Sequence, residues 1–219
     1  MDKESQYSML TRVLLSVRNI VYFDFLGGPR VIPMRYPVNL FKGATAMWIY
    51  FLMVYFNNFS TGMWLYLGLH GTYGMFWLFK DVFFPDATFK EKATFGSIFL
   101  VVLLLVLYWT IPVTIAIGVG IQEPTPLRIW TCIIMYVLGV ILMMGSDIDK
   151  NRRLAIKKGN FYFKAGLISD GFFSRTRNPN YLGEVMIYGS FALCSGYWTS
   201  YAVVFFVWHT LFAINMYLK

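Results

Sequence analysis

Charge-free runs of apolar residues alternate with short polar segments along nearly the whole chain, and the runs have the length of helices rather than strands. The clearest covers residues 96–121, without a single charge and with Pro112 inside it. Residues 129–146 and 200–218 read the same way, and residues 60–79 are uncharged and rich in aromatics. Two shorter candidates are residues 43–57 and 180–197, the second containing Glu184. A helix needs about 20 apolar residues to cross the hydrocarbon layer. The pattern therefore predicts an all-α fold, a polytopic transmembrane helix bundle of about six spans. Ahead of them, residues 9–28 mix apolar positions with Arg12, Arg18 and Asp24. They read as a helix lying in the membrane interface. Pro29, Pro33 and Pro37 then predict an irregular connector.

The distribution of charge tests the count. With six spans, every Lys and Arg except Arg128 falls on one side. Removing one span scatters them over both. The positive-inside rule then puts both ends of the chain in the cytoplasm or an equivalent compartment. Composition agrees: 58% of the 219 residues are apolar and 14% charged, against about 25% charged in a typical soluble domain. Such a chain buries its 21 Phe, 15 Tyr and 7 Trp in lipid, not in a soluble core. The start, MDKESQYSML, lacks the basic-then-apolar pattern of a cleavable signal. The organisation is one membrane domain over 1–219: an interfacial segment (1–42), four spans (43–146), a basic loop (147–177) and two last spans (178–219). A formal charge of +8 placed at the ends of apolar runs suits anionic lipid headgroups or phosphorylated small molecules. It gives nucleic acid no groove. Cys132 and Cys194 lie in apolar runs and read as core fillers.

Candidate chemistry is concentrated in two places. The basic loop, with eight basic and three acidic residues between 147 and 177, leads into Arg177-Asn178-Pro179-Asn180-Tyr181-Leu182-Gly183-Glu184. Asp147, Lys150 and Arg153 (or Arg152) have helical spacing where a span ends, and Lys with Arg suits a phosphate. Asn178 as N-cap and Pro179 as first residue start a helix whose positive end faces whatever lies beside Arg177. Asn180 and Glu184 share a face of that helix, and an acid at this depth is costly unless paired. The plain alternatives are a loop that merely obeys the charge rule, and a Glu184 that balances Arg175 or Arg177.

The second place is residues 66–77. Tyr66, His70, Tyr73 and Trp77 form one stripe, and Gly68, Gly71 and Gly74 form another that lets a neighbouring helix approach. His70 beside Tyr73 suits proton donation; the stripe reads equally as packing, with His70 bonded to a backbone carbonyl. With two His residues and no acidic cluster, no metal site is expected.

The run RTRNPNYLGE, preceded by SDIDKNRR, resembles the C-terminal half of the steroid 5-alpha-reductase superfamily, which includes sterol reductases and, more distantly, isoprenylcysteine carboxyl methyltransferases. The segment LHGTYGMFWLFKD with the following Phe84-Pro85-Asp86 is similar to a steroid-5-alpha-reductase-like branch. The resemblance spans residue 42 to the end. It implies an NADPH site in which Lys150 and Arg153 hold the phosphates, while Arg177, Asn180 and Tyr181 grip the cofactor and Glu184 supports them; Asp147 and Arg175 belong to the same cofactor-binding set. His70, Tyr73 and Glu184 would then be the catalytic candidates. The implied activity is NADPH-dependent reduction of a C=C bond in a sterol or other lipid, in the endoplasmic reticulum or, as a second placement, the mitochondrial inner membrane. Asn178 stands where most relatives have His. The sequence ends at Lys219, where relatives continue with a tail that helps close the nucleotide site. Two rival readings remain open: a non-catalytic structural subunit bound to other membrane proteins, and a lipid or prenylcysteine methyltransferase using S-adenosylmethionine.

Overall fold

The computed structural model describes residues 9–86, 88–159 and 168–211. Residues 160–167 of the expected basic loop, and 212–218 of the last expected span, lie outside them. The described chain is predominantly helical. Helix α1 (Met9–Asn19) runs into a π-helical turn at Ile20–Asp24, and α2 (Arg35–Tyr55) follows. Helices α3 (Thr61–Tyr66) and α4 (Thr72–Phe83) are joined through a second π turn at Leu67–Gly71. Then come α5 (Phe95–Ala116), α6 (Pro126–Gly159), α7 (Pro179–Ser195) and α8 (Trp198–Leu211). Each expected apolar segment thus coincides with helix as far as it is described. Two stretches, Phe95–Ala116 and Pro126–Arg153 within α6, are long and apolar enough to cross a membrane.

Local chemistry sets the boundaries. Ser60 and Thr94 cap α3 and α5 by accepting from the N–H groups of Met63 and Ser97. Gly196, in the left-handed region at φ 64°, ends α7 and reverses the chain into α8. Asn58 donates to the carbonyls of Ile115 and Ala116, closing the end of α5. Two expectations change. Helix α6 does not stop at 146 but continues to Gly159, through residues of good helix propensity and the i,i+4 pair Asp149–Arg153. The proline-rich connector is not wholly irregular either. Ile32–Pro33 (β1) pairs antiparallel with Lys92–Ala93 (β2), with Ile32 opposite Ala93, so a two-stranded ribbon joins the otherwise all-α fold.

Close backbone contacts fix the crossings that matter for the site. A Cβ on Gly183 would lie 2.5 Å from the Gly139 carbonyl oxygen and 2.6 Å from the Met143 nitrogen, so α6 and α7 touch through backbone. A Cβ on Gly74 would lie 2.3 Å from the Lys42 carbonyl oxygen, pressing α4 onto α2. Of the glycine stripe in 66–77, Gly71 and Gly74 meet α2, while Gly68 faces open space. Inside lie Tyr66, Tyr73, Tyr108, Phe191, Ile49 and Met63, each almost wholly buried, whereas Leu40, Met47, Phe95, Phe99, Leu127 and Trp130 are exposed on the outside. An apolar exterior of this extent suits a hydrocarbon surround.

The N-terminal segment is anchored at its end rather than along its length. Helix α1 buries no residue. Beyond it, Thr94 N–H donates to the Phe23 carbonyl at 2.9 Å, and Phe25 N–H donates to Ser97 Oγ at 2.9 Å. Arg30 holds Asp24 through two hydrogen bonds of 2.8 and 2.7 Å.

Two outcomes follow for thermal unfolding in detergent. Gly183→Ala should destabilise by about 1–3 kcal/mol, because neither backbone can yield, whereas Gly68→Ala should be neutral or stabilising by up to about 1 kcal/mol. The hydrogen bond from Arg30 keeps the Asp24 carboxyl below its ordinary range. The pair's contribution is therefore complete above that range and lost as pH falls through the lowered value. Amide exchange over residues 24–30 should accelerate there, and in Asp24→Asn it should be fast and independent of pH after correction for intrinsic rates.

Candidate functional site

Helix geometry brings six elements to one cavity of about 200 Å³. Helix α2 carries Lys42 two turns in from Arg35. Helix α4 contributes Trp77 and Lys80, α5 Tyr108, α6 Asp147, and α7 Asn180, Tyr181, Glu184 and Tyr188. Arg18 and Tyr22, from α1 and its π turn, also line the space. On α7 the members follow i, i+4, i+8 (Asn180, Glu184, Tyr188), a single helical face.

Lys42 is the centre of the arrangement and is 5% exposed. Its Nζ donates to Tyr188 Oη at 2.5 Å and to Tyr73 Oη at 3.1 Å. The same ammonium stands 4.3 Å from the Tyr73 ring centroid and 4.5 Å from that of Trp77, where the negative ring faces stabilise a desolvated cation. Glu184, also buried, lines the same cavity as Lys42 and Lys80. Tyr188 stacks on Tyr108 with centroids 4.1 Å apart. Lys80 is paired with Asp147, and next to them Asp81 accepts from Arg35 at 2.7 Å and from Asn39 at 2.6 Å. Trp77 Nε1 donates to Asn39 Oδ1 at 3.0 Å, linking that network to the cavity wall.

Two groups on the lining have no hydrogen-bond partner among the described residues: Tyr108 Oη, on a residue 2% exposed, and the buried Arg18 Nε. Buried polar groups are ordinarily paired. A donor pair left over in a cavity that also holds two lysines and three acids suits a ligand with oxygen acceptors.

Of the residues singled out in the sequence, Asp147, Asn180, Tyr181 and Glu184 line this cavity, and Tyr73 stands behind them, bonded to Lys42. His70 is not on the lining. It is 3% exposed, shares a hydrogen bond of 2.9 Å with Tyr66 Oη through Nδ1, and stacks on Phe191 at 4.3 Å. Its partner is thus a tyrosine, not a backbone carbonyl, and its place is in the π turn, an element often found near functional sites. Lys150 is half-buried on α6 and is not on the lining. Arg153 is not on it either; its guanidinium is bonded to Asp149 at 2.7 Å and Asp170 at 2.6 Å. Arg175 and Arg177 are exposed and outside it as well. Sequence reading overlooked Lys42, Lys80, Tyr108 and Tyr188. Lys42 and Lys80 looked like flanking charges because they adjoin the apolar runs; the signal was that α2 begins well before residue 42.

Residues 37–218 match the family described as "Protein of unknown function (DUF1295)". No curated protein and no solved structure matches the chain.

The Lys80–Asp147 pair gives a direct test of the cavity wall. Lys80→Met strands a nearly buried carboxylate and should cost about 3–5 kcal/mol. The double variant Lys80→Met/Asp147→Leu should recover most of that in thermal unfolding.

Proposed function

We propose that this chain, which belongs to the DUF1295 family, is a multi-span membrane reductase that saturates a C=C bond in a sterol or other lipid with hydride from NADPH. The observation that carries the reading is the cavity in which Lys42, Glu184 and Tyr188 meet beside the unpaired Tyr108 hydroxyl and Arg18 N–H. The six helical segments are read as six spans, with the basic ends of α4, α6 and α7 on the cytoplasmic face. The sequence resemblance favours the endoplasmic reticulum, with the mitochondrial inner membrane as the second placement.

The residues fit the reacting end of such a cofactor and not the whole of it. At about 200 Å³ the cavity is smaller than the ~300–1,000 Å³ clefts that hold drug-sized ligands. Arg18 N–H, Tyr108 O–H and the Asn180 amide offer donors for its carboxamide and oxygen atoms. Of the cations expected to serve the phosphates, Lys150 stands half-buried on α6 outside the lining, whereas Arg153 is already matched by two carboxylates. When bound, the reduced nicotinamide supplies a hydride.

The rest of the chemistry belongs to this chain. Reduction of a polarised C=C needs a proton as well as a hydride, and the donor must touch the substrate. Tyr188 lines the cavity and Tyr73 does not, so the proton leaves Tyr188 Oη. The Lys42 ammonium, 2.5 Å away, stabilises the phenolate left behind. A replacement proton drawn from water reaches the phenolate by way of Glu184, on the same cavity wall, and Tyr73, which is bonded to the same ammonium and stands 3.5 Å from Tyr188 Oη. His70 orients this group from behind through the Tyr73 and Phe191 rings.

Thermal unfolding of the detergent-purified protein with NADPH, NADH and S-adenosylmethionine tests the reading. NADPH should raise the melting temperature, the gain reaching about 2.7 kcal/mol at a hundredfold excess over Kd. Asn180→Ala should shrink that shift at unchanged stability of the free protein. A shift with S-adenosylmethionine alone would mean a methyltransferase, and no shift with any of the three would mean a structural subunit.

A further inference from the structure

A second cleft, about 510 Å³ and almost entirely apolar, lies between α6, α7 and α8. Its walls include Met135 on α6, Gly189 and Ala192 on α7, and Tyr201, Phe205 and Trp208 on α8. Along α8 the lining residues recur at i, i+4 and i+7, so the cleft follows the helix for about 10 Å. The small Gly189 and Ala192 leave the room for it. Among its lining side chains, Trp208 carries a buried Nε1 that has no hydrogen-bond partner among the described residues.

The position of that donor identifies the ligand. The chain reverses at Gly196. Trp208, twelve residues after it, is therefore level with the part of α7 just inside Pro179. The donor sits at the charged end of the cleft, the end from which the exposed Arg175 and Arg177 lead into α7. A narrow hydrocarbon channel parallel to the helices, an N–H at its polar end and two exposed guanidinium-bearing residues beyond it match the three parts of a glycerophospholipid. These are acyl chain, ester carbonyl and phosphate. The mouth is continuous with Tyr201, Phe205 and Phe206, all exposed, so on the membrane reading above it opens to the bilayer itself.

We infer that this cleft binds one acyl chain of a membrane glycerophospholipid, with the ester carbonyl accepting from Trp208 Nε1 and the phosphate facing Arg175 and Arg177. Tyr188 borders both this cleft and the polar cavity. The bound chain therefore lies against the tyrosine that Lys42 holds, and it keeps that ring in place from the lipid side. The inference rests on the multi-span reading and not on reduction.

Photolabelling tests it: full-length protein in nanodiscs containing a phosphatidylglycerol with a diazirine in one acyl chain, followed by peptide mapping. Labels should concentrate on α7 and α8 around Ala192 and Tyr201–Phe205. Val204→Trp, which fills the cleft from its lipid side, should abolish them. Replacing Trp208 by 3-benzothienylalanine keeps the bicyclic ring and removes the N–H, and should lower labelling about three- to tenfold at unchanged melting temperature. Labels spread over the exposed faces of α5 and α6, or labelling indifferent to both variants, would overturn the inference. So would a diazirine sterol that labels the cleft in preference to the phospholipid. Because no nucleotide is added, cleft-confined labelling together with a failed NADPH shift would remove the reductase reading and leave this one standing.

Discussion

A buried lysine governs this structure. Placing an ammonium in the interior of an apolar bundle costs several kcal/mol unless its surroundings replace water. Around Lys42 that replacement is built from two tyrosine hydroxyls, three aromatic faces and one acid. They come from two other helices, α4 and α7, so the requirement propagates. Helix α4 must lie against α2, which the missing Cβ of Gly74 permits. Helix α7 must present Tyr188 and Glu184 on the face toward α2, which its backbone contact with α6 at Gly183 and Gly139 fixes. Tyr188 in turn is steadied by the Tyr108 ring from α5.

The same constraint separates what was legible in the sequence from what was not. Long charge-free runs can hardly be anything but helices, and the starts of those at 96–121 and 129–146 fall within a few residues of α5 and α6, whereas their ends do not. The start of α7 was legible because Asn178-Pro179 is a local signal whose meaning does not depend on distant residues. Lys42 and Lys80 were not legible, since a cation beside an apolar run looks the same whether it faces solvent or turns inward. Only partners far along the chain decide. Tyr188 had no signal of its own within an aromatic-rich segment, although its i+4 spacing from Glu184 would have marked it once Glu184 was singled out. Arg153 shows the reverse error: its spacing from Asp147 and Lys150 suggested a phosphate site, while Asp149 and Asp170 supply its counter-charges.

The two cavities divide the work by polarity. One sets lysines, acids and tyrosines among apolar side chains such as Leu15, Val38 and Leu105, whereas the other is almost wholly apolar. Tyr188 is amphipathic and belongs to both, its hydroxyl on Lys42 and its ring among Tyr108 and Phe191. A residue with one wet and one dry end is what a boundary between such spaces requires.

The anchoring of the N-terminal segment has a consequence for biogenesis. Residues 9–25 are synthesised well before their hydrogen-bonding partners Thr94 and Ser97, some seventy residues downstream. Until the ribosome has delivered that stretch, these bonds cannot form, and on the multi-span reading proposed above α1 can rest on the membrane surface by its amphipathic face. A segment made ahead of the bundle is thus among the later ones to reach its final position. On the same reading, the cavity that Arg18 and Tyr22 help to wall stays open on that side until then, so Lys42 can enter the bundle hydrated and shed its water last.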